Sequence, residues 1–381
     1  EQQLDQWSDE LLRSGAFTGG AERFPIIADR DISAAFIEFS FPLQDKLEAQ
    51  LALRYEDYSD FGSTTNPKIA LRWQPLPSLM FRGSWSTSFK PPSFYELYLP
   101  VSTRFNGYID SLRCDITGLT EDCDYFPYLA EARGNPHLGP EEGASWFAGT
   151  VWTPEFLPGF EFQLDFWKFE HEDRVEWFPG WAQTLTGSDF GVVREPPEPD
   201  GTPGRIIRVK ESYLNVDTLS TRGFDTTVRY QWRSDWAGEF HVSLIHTYVD
   251  RLEWLVVLNE HLLDQNFAGL NAPRNRANVN FSWSKDAHRA AANIHYTGHY
   301  NTSTPLWIDG EQTDQFLTVP SHATLDLQYS YAFERFNNSV LRIGCSNCSD
   351  RDPPLLYNPW NEPIHDGRGR YYYMRWQQAI R

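Results

Sequence analysis

From Lys46 to Tyr58 the chain reads KLEAQLALRYEDY, and its residues alternate strictly. Leu47, Ala49, Leu51, Leu53 and Tyr55 fall on one face; Glu48, Gln50, Arg54 and Glu56 fall on the other. A period of two over such a length marks a β-strand with one apolar and one polar face. The pattern returns. Ile69, Leu71 and Trp73 oppose Lys68, Arg72 and Gln74, and Leu79, Phe81 and Trp85 oppose Arg82, Ser84 and Ser86. Phe160, Phe162, Leu164 and Phe166 alternate with Glu161, Gln163 and Asp165, and Leu325, Leu327, Tyr329 and Tyr331 with Thr324, Asp326, Gln328 and Ser330. About thirteen segments of this kind run through the chain, the last from Tyr371 to Ile380, and no helical period competes.

The connections carry a second regularity. Short ones (PLQD after Phe41, QPLPS at 74–78, TPEFLPG at 153–159, RSDWAG at 233–238, SKDA at 284–287, ERFNN at 334–338) alternate with long ones over roughly 90–141, 172–217, 251–272, 301–319 and 347–368. Only SDFGS, at 59–63, is short where a long one is due. An up-and-down meander sends odd and even connections to opposite ends, so the pattern predicts turns at one end and loops at the other, as in outer-membrane barrels. A soluble sandwich has no reason to sort its loops. The segments run about ten to thirteen residues, whereas globular strands average about five or six and about 9–11 tilted residues cross a bilayer. Aromatics such as Tyr55, Trp73, Trp152, Tyr230, Trp232, Trp283 and Tyr296 sit near segment ends, where a headgroup girdle belongs.

Composition narrows the function. The 381 residues carry 33 Lys+Arg against 52 Asp+Glu, a net charge of −19, which argues against a nucleic-acid partner. Aromatics make up 15%, far from the composition of a disordered chain. No apolar run approaches the roughly 18 residues of a spanning helix, a limit that says nothing about barrel strands. The acidic balance favours cationic or chelate ligands over bare anions.

Four cysteines stand in two groups, Cys114 with Cys123 and Cys345 with Cys348. Neither has the companion ligands usual at a zinc site or the βαβ setting of a redox motif, so loop disulfides in an oxidising compartment are expected, with free thiols or metal binding as the alternative. Four cysteines allow three pairings, and the sequence does not choose among them.

Residues 31–98, DISAAFIEFSFPLQDKLEAQLALRYEDYSDFGSTTNPKIALRWQPLPSLMFRGSWSTSFKPPSFYELY, closely resemble the mid-barrel signature of TonB-dependent outer-membrane receptors. NPHLGPEEGAS (135–145), TRGFDTTVRYQW (221–232), APRNRANVNFSW (272–283), VPSHATLDLQYSY (319–331), NCSDRDPP (347–354) and GRGRYYYMRW (367–376) follow in the order that family shows. The resemblance implies a bacterial outer-membrane location and an all-β, antiparallel transmembrane β-barrel, with about 13 strands here of an expected 22. It also implies an N-terminal plug and a TonB-contacting box, neither visible in this sequence. Residues 1–30 then read as an extracellular loop segment leading into the barrel, and 31–381 as the C-terminal portion of the barrel, a fragment or one chain of a split receptor. Two departures stand out: the chain ends Ala379-Ile380-Arg381 instead of in an aromatic residue, and Cys348 and Ser349 replace an apolar pair before the last strand.

The resemblance implies TonB-energised uptake of a scarce nutrient such as a siderophore, vitamin or oligosaccharide. The implied partners are outer-membrane lipid and lipopolysaccharide, the plug with the remaining strands, the TonB complex and a small-molecule ligand. The chain is not read as an enzyme: no GxSxG, Walker loop, HExxH or paired Cys-His site appears, and no cofactor is implied. The alternatives are a passive porin-like or adhesin barrel and a soluble β-rich carbohydrate-binding protein.

Candidate ligand contacts lie in the long loops. Tyr108, Tyr125 and Tyr128 accompany Cys114 and Cys123 in the first, which reads either as a ligand-contacting loop held by a Cys114–Cys123 bridge or as a mobile lid. Trp177, Phe178 and Trp181 in the next can stack on a ligand, though packing is the commoner role of an aromatic. The run Glu170, His171, Glu172, Asp173 reads as a solvated acidic rim, and His137, His365 and Asp366 as lone loop residues.

Overall fold

The computed structural model describes residues 2–6, 25–178, 191–258, 261–266, 272–308, 311–333, 339–354 and 364–378. Its strands are β1 (Gln2–Gln6), β2 (Ile26–Arg30), β3 (Ile32–Gln44), β4 (Leu47–Tyr58), β5 (Gly62–Leu76), β6 (Leu79–Lys90), β7 (Ser102–Tyr108), β8 (Phe126–Arg133), β9 (Glu141–Trp152), β10 (Phe160–Phe178), β11 (Val192–Arg194), β12 (Ile206–Ser234), β13 (Gly238–Leu258), β14 (His261–Asn266), β15 (Asn275–Lys285), β16 (His288–Thr297), β17 (Tyr300–Ile308), β18 (Glu311–Val319), β19 (His322–Phe333), β20 (Ser339–Ser346) and β21 (Tyr371–Gln377). Three short helices, Phe94–Tyr98, Ser111–Thr117 and Thr120–Cys123, lie between β6 and β8.

Thirteen strands form one antiparallel ladder, β3-β4-β5-β6-β9-β10-β12-β13-β15-β16-β19-β20-β21. β21 and β3 are neighbours in the barrel's strand order. No residue register joins them among the described residues, and β21 is exposed along its whole length, as is β3 after Ile32. Among the described residues, the register of the ladder is thus followed from β3 to β21. Its connections sort as the sequence predicts. The turns 45–46, 77–78, 153–159, 235–237 and 286–287 lie at one end, and the long connections at the other. The short turn at 59–61 sits with the long loops: Arg30, almost fully buried, pairs with Asp60 at 2.7 Å and donates to the Pro92 carbonyl at 2.8 Å.

The pleat sets the two faces. Register carries Ile37, Phe39 and Phe41 of β3 opposite Leu53, Leu51 and Ala49 of β4, and Leu51 opposite Ile69 of β5. All but the half-buried Ala49 remain exposed, as do Leu71, Phe81, Leu164, Phe224, Phe281, Ile294, Leu327 and Ile343 on the same side of later strands. The opposite face is polar and stitched across strands. Gln50 donates to Glu38 at 2.6 Å, Arg82 reaches both oxygens of Asp165 at 3.0 and 2.9 Å, Ser86 meets Ser145 at 2.8 Å, and His295 meets Asn278 at 2.7 Å.

Surface area separates a barrel wall from a sandwich. The accessible surface is 24369 Å², whereas a close-packed monomer of 44.2 kDa exposes about 15,500 Å². The fully buried apolar residues, among them Leu97, Tyr108, Ala130, Leu138, Val192 and Val209, lie at the long-loop end and not between two sheets. An apolar belt of this extent with no second layer is what a lipid-facing barrel wall presents. Near the short-turn end aromatic rings follow one another across five strands: Trp152–Phe160 (6.1 Å), Phe160–Tyr230 (6.5 Å), Tyr230–Trp232 (5.1 Å), Trp232–Phe240 (4.9 Å) and Phe240–Phe281 (6.3 Å). That row forms one girdle.

Candidate functional site

The long-loop end carries a folded cap, built on strands that outgrow the bilayer. β10, β12 and β13 have 19, 29 and 21 residues, against the roughly 9–11 needed to cross. β12 is the spine. Up to Ser212–Asp217 its edges pair with β10 and β13. Beyond that, β8 runs parallel along one edge (Arg208↔Leu129 to Ser212↔Arg133) and β11 antiparallel along the other (Val209↔Val192 to Ile206↔Arg194). β7 completes the sheet as a hairpin with β8. Much of the stretch 172–217, predicted as loop, is thus strand. Above the membrane both faces of the spine meet protein or water, so the apolar–polar contrast that marks the lower strands fades.

The cap has its own core. Tyr108, Ala130, Val192, Ile206 and Val209 pack together with Tyr128 against them, and Leu97, Leu138 and Val175 form a second cluster under Tyr213. Ser93 and Glu96 start the helix Phe94–Tyr98 with reciprocal caps, at 3.2 Å from the Glu96 amide to Ser93 Oγ and 2.6 Å from the Ser93 amide to Glu96. Cys114 is bonded to Cys123 across the two small helices, and Cys345 near the end of β20 to Cys348 just beyond it.

Buried charges lock the cap. Glu211, wholly buried, accepts from the Tyr108 hydroxyl at 2.5 Å and from Arg104 at 2.7 Å. Burial, then the bond to Glu211, pushes the Tyr108 phenol well above its ordinary range. Asp110 takes both Arg194 amino groups at 2.7 and 2.8 Å and caps the next helix through the Arg113 amide at 3.2 Å. Arg113 reaches Asp122 at 3.1 Å, Glu198 at 2.9 Å and the Pro203 carbonyl. Burial raises the Asp122 carboxyl, but the Thr117 hydroxyl and Arg113 outweigh it and hold the group below its ordinary value. A loop fastened in this way is a rigid platform.

The candidate contact residues separate on this platform. Tyr108, expected at a ligand surface, is 1% exposed and belongs to the core, because its ring fills the gap over Val209 and its hydroxyl satisfies Glu211. Tyr128 packs on the same core. Trp177 meets Tyr213 edge to face at 4.9 Å. Tyr125 is 71% exposed and its ring lies directly over Gly107, where any Cβ would collide with it. Phe105, 77% exposed, shares the Gly107 face of β7. Trp181 lies outside the described residues.

The acidic run 170–173 does not converge. His171 turns to Glu141 at 2.6 Å, Glu170 pairs with Lys168 at 2.5 Å, and Glu172 and Asp173 are exposed. Glu141 also holds Lys90 at 2.8 Å. Nearby, Asp217 accepts from the Trp254 indole at 2.6 Å and from Arg174 at 3.3 Å; burial dominates and raises its carboxyl. The sequence missed this polar rim because its members come from separate strands. His137 and Asp366 are exposed, and Asp366 is bound to Arg368. His365, read as a lone loop residue, is buried against Tyr300 and His322.

The family profile described as TonB dependent receptor-like, beta-barrel matches residues 4–348. The vitamin B12 transporter BtuB of Vibrio vulnificus is 22% identical over 348 residues, covering 90% of this chain and 41% of the relative. Among solved structures, the ferric enterobactin receptor of Pseudomonas aeruginosa superposes with a TM-score of 0.63 at 14% identity, over 93% of this chain and 45% of that one. The siderophore receptor PirA of Acinetobacter baumannii gives 0.62 at 17%, over 91% and 45%. The chain spans less than half the length of each.

Proposed function

This chain belongs to the TonB-dependent receptor-like β-barrel family of the bacterial outer membrane, and from that premise we propose that it supplies barrel wall and extracellular ligand cap to an energised uptake receptor. The observation that carries the proposal is the pairing of an apolar outer belt and a polar inner wall with a rigid cap restricted to the long-loop end. The belt contacts outer-membrane lipid and, in the outer leaflet, lipopolysaccharide. The inner wall faces a plug, and the energising TonB complex acts through that plug. Residues 1–30 form the loop segment that leads into the barrel, and residues 31–381 its C-terminal portion. The barrel does no covalent chemistry; it positions the ligand and supplies a wet path.

The ligand is a bulky, scarce organic molecule or chelate, in the class of siderophores and vitamins. Tyr125 and Phe105 offer exposed ring faces on a fixed sheet, able to stack at little entropic cost. A growth assay on cells lacking the gene tests this. Restoration by the full-length receptor on limiting siderophore-bound iron or limiting cobalamin, abolished by a proton uncoupler, supports it. Restoration that survives uncoupling identifies a passive channel instead.

A further inference from the structure

Three residues remote in sequence meet at the long-loop end. Tyr300 begins β17, His322 begins β19, and His365 lies in the connection before β21. All are more than nine-tenths buried, at 3%, 7% and 6% exposure. The His322 and His365 rings stand 5.1 Å apart at 73°, and Tyr300 stacks on His365 at 6.2 Å. The Tyr300 hydroxyl and His365 Nε2 are buried without a hydrogen-bond partner. Two such groups, on rings whose centres lie 6.2 Å apart, are costly unless something satisfies them.

The donor chemistry says what fits. Imidazole nitrogen is a common ligand for first-row transition ions. Two imidazoles bound to one tetrahedral ion at about 2.0–2.1 Å place their ring centres about 5 Å apart, the separation found here. Among the described residues no three His, Cys, Asp or Glu side chains converge on a metal; this set reaches three donors only by counting a phenol. We propose that Tyr300, His322 and His365 form a binding site for a first-row transition-metal ion, which ties the β20–β21 connection to the strand tops. Burial, then His322 and Arg276, lowers the His365 imidazole's proton affinity and leaves it neutral as a ligand. Burial raises the Tyr300 phenol above its ordinary value, with Arg276 opposing, so Tyr300 offers a neutral hydroxyl. Among the described residues, the charged groups that act on the cluster are Arg276 of β15 and Arg351 of the connection.

The test uses full-length receptor in detergent, any histidine tag removed, stripped with chelator and titrated with Co²⁺ and then Zn²⁺. The expected result is one ion per chain, with cobalt absorption typical of four-coordination that zinc displaces. His322→Gln and His365→Gln should each weaken binding at least tenfold. Tyr300→Phe should shift the cobalt spectrum, and the exposed His137→Gln should change nothing. Heat-modifiable gel mobility confirms that each variant is folded. Absence of stoichiometric binding, or binding unaltered in both histidine variants, overturns the proposal, as does a high-resolution structure of metal-treated protein with water alone between the rings.

Discussion

Placing arginine at Leu51 in the full-length receptor should damage the fold far more than placing it at the next residue. Leu51 sits in the middle of β4, 42% exposed on the apolar face, with Phe39 and Ile69 as cross-strand neighbours. A lipid-facing arginine near the midplane costs roughly 2–4 kcal/mol, about a thirty- to seven-hundred-fold loss in folding equilibrium. Gln50 points to the polar face beside Ser40 and Ala70 and already bonds Glu38 at 2.6 Å. An arginine there keeps that carboxylate as partner, so Gln50→Arg should stay within about 1 kcal/mol. Reversible guanidinium unfolding from lipid vesicles, followed by tryptophan fluorescence, measures both. Equal losses, or a larger loss for Gln50→Arg, would refute the facing argument.

Other outcomes follow from the cap. Cys114→Ser opens a loop closed over a separation of nine residues, which should cost about 2.5–3 kcal/mol on the chain-entropy account, seen as lost amide protection over 104–124 with the barrel unchanged. Tyr108→Phe strips the phenol donor from buried Glu211 and should cost about 1–3 kcal/mol locally; unaltered hydrogen exchange in β8 and upper β12 would contradict it. Tyr125→Ala should weaken capture of the transported ligand several-fold without shifting the melting temperature, and Gly107→Ala should do the same by displacing that ring. Burial depresses the His365 imidazole, so its folded form protonates later on acidification than its unfolded form. The contribution to stability is whole above the ordinary imidazole value of about 6.5 and declines as pH falls from there toward the depressed value. Exchange of 364–370, corrected for intrinsic rate, should therefore rise more between about pH 7.5 and pH 5 than exchange of strand peptides.

The wall was legible in the sequence because its information is local. Each strand announces its own faces, as in Leu47–Tyr55 against Glu48–Glu56, and the sorting of turns and loops needs only their order. The cap was not. The parallel pairing of β8 with β12 joins residues about eighty apart, and no short-range period encodes it. Tyr108 looked like an exposed loop aromatic because nothing nearby reveals that Glu211 and Val209 close over it. His365 seemed solitary for the same reason, since Tyr300 and His322 reach it only through tertiary packing.

Spin labels placed singly at 325, 326, 327 and 328 of β19, in vesicle-embedded receptor, read the orientation of the wall most directly. The account predicts that labels at 325 and 327 relax with oxygen dissolved in the acyl region, while those at 326 and 328 relax with a water-soluble nickel chelate. A uniform response along the four positions, or the opposite alternation, would contradict a wall with lipid on its Leu325–Leu327 side and water on its Asp326–Gln328 side.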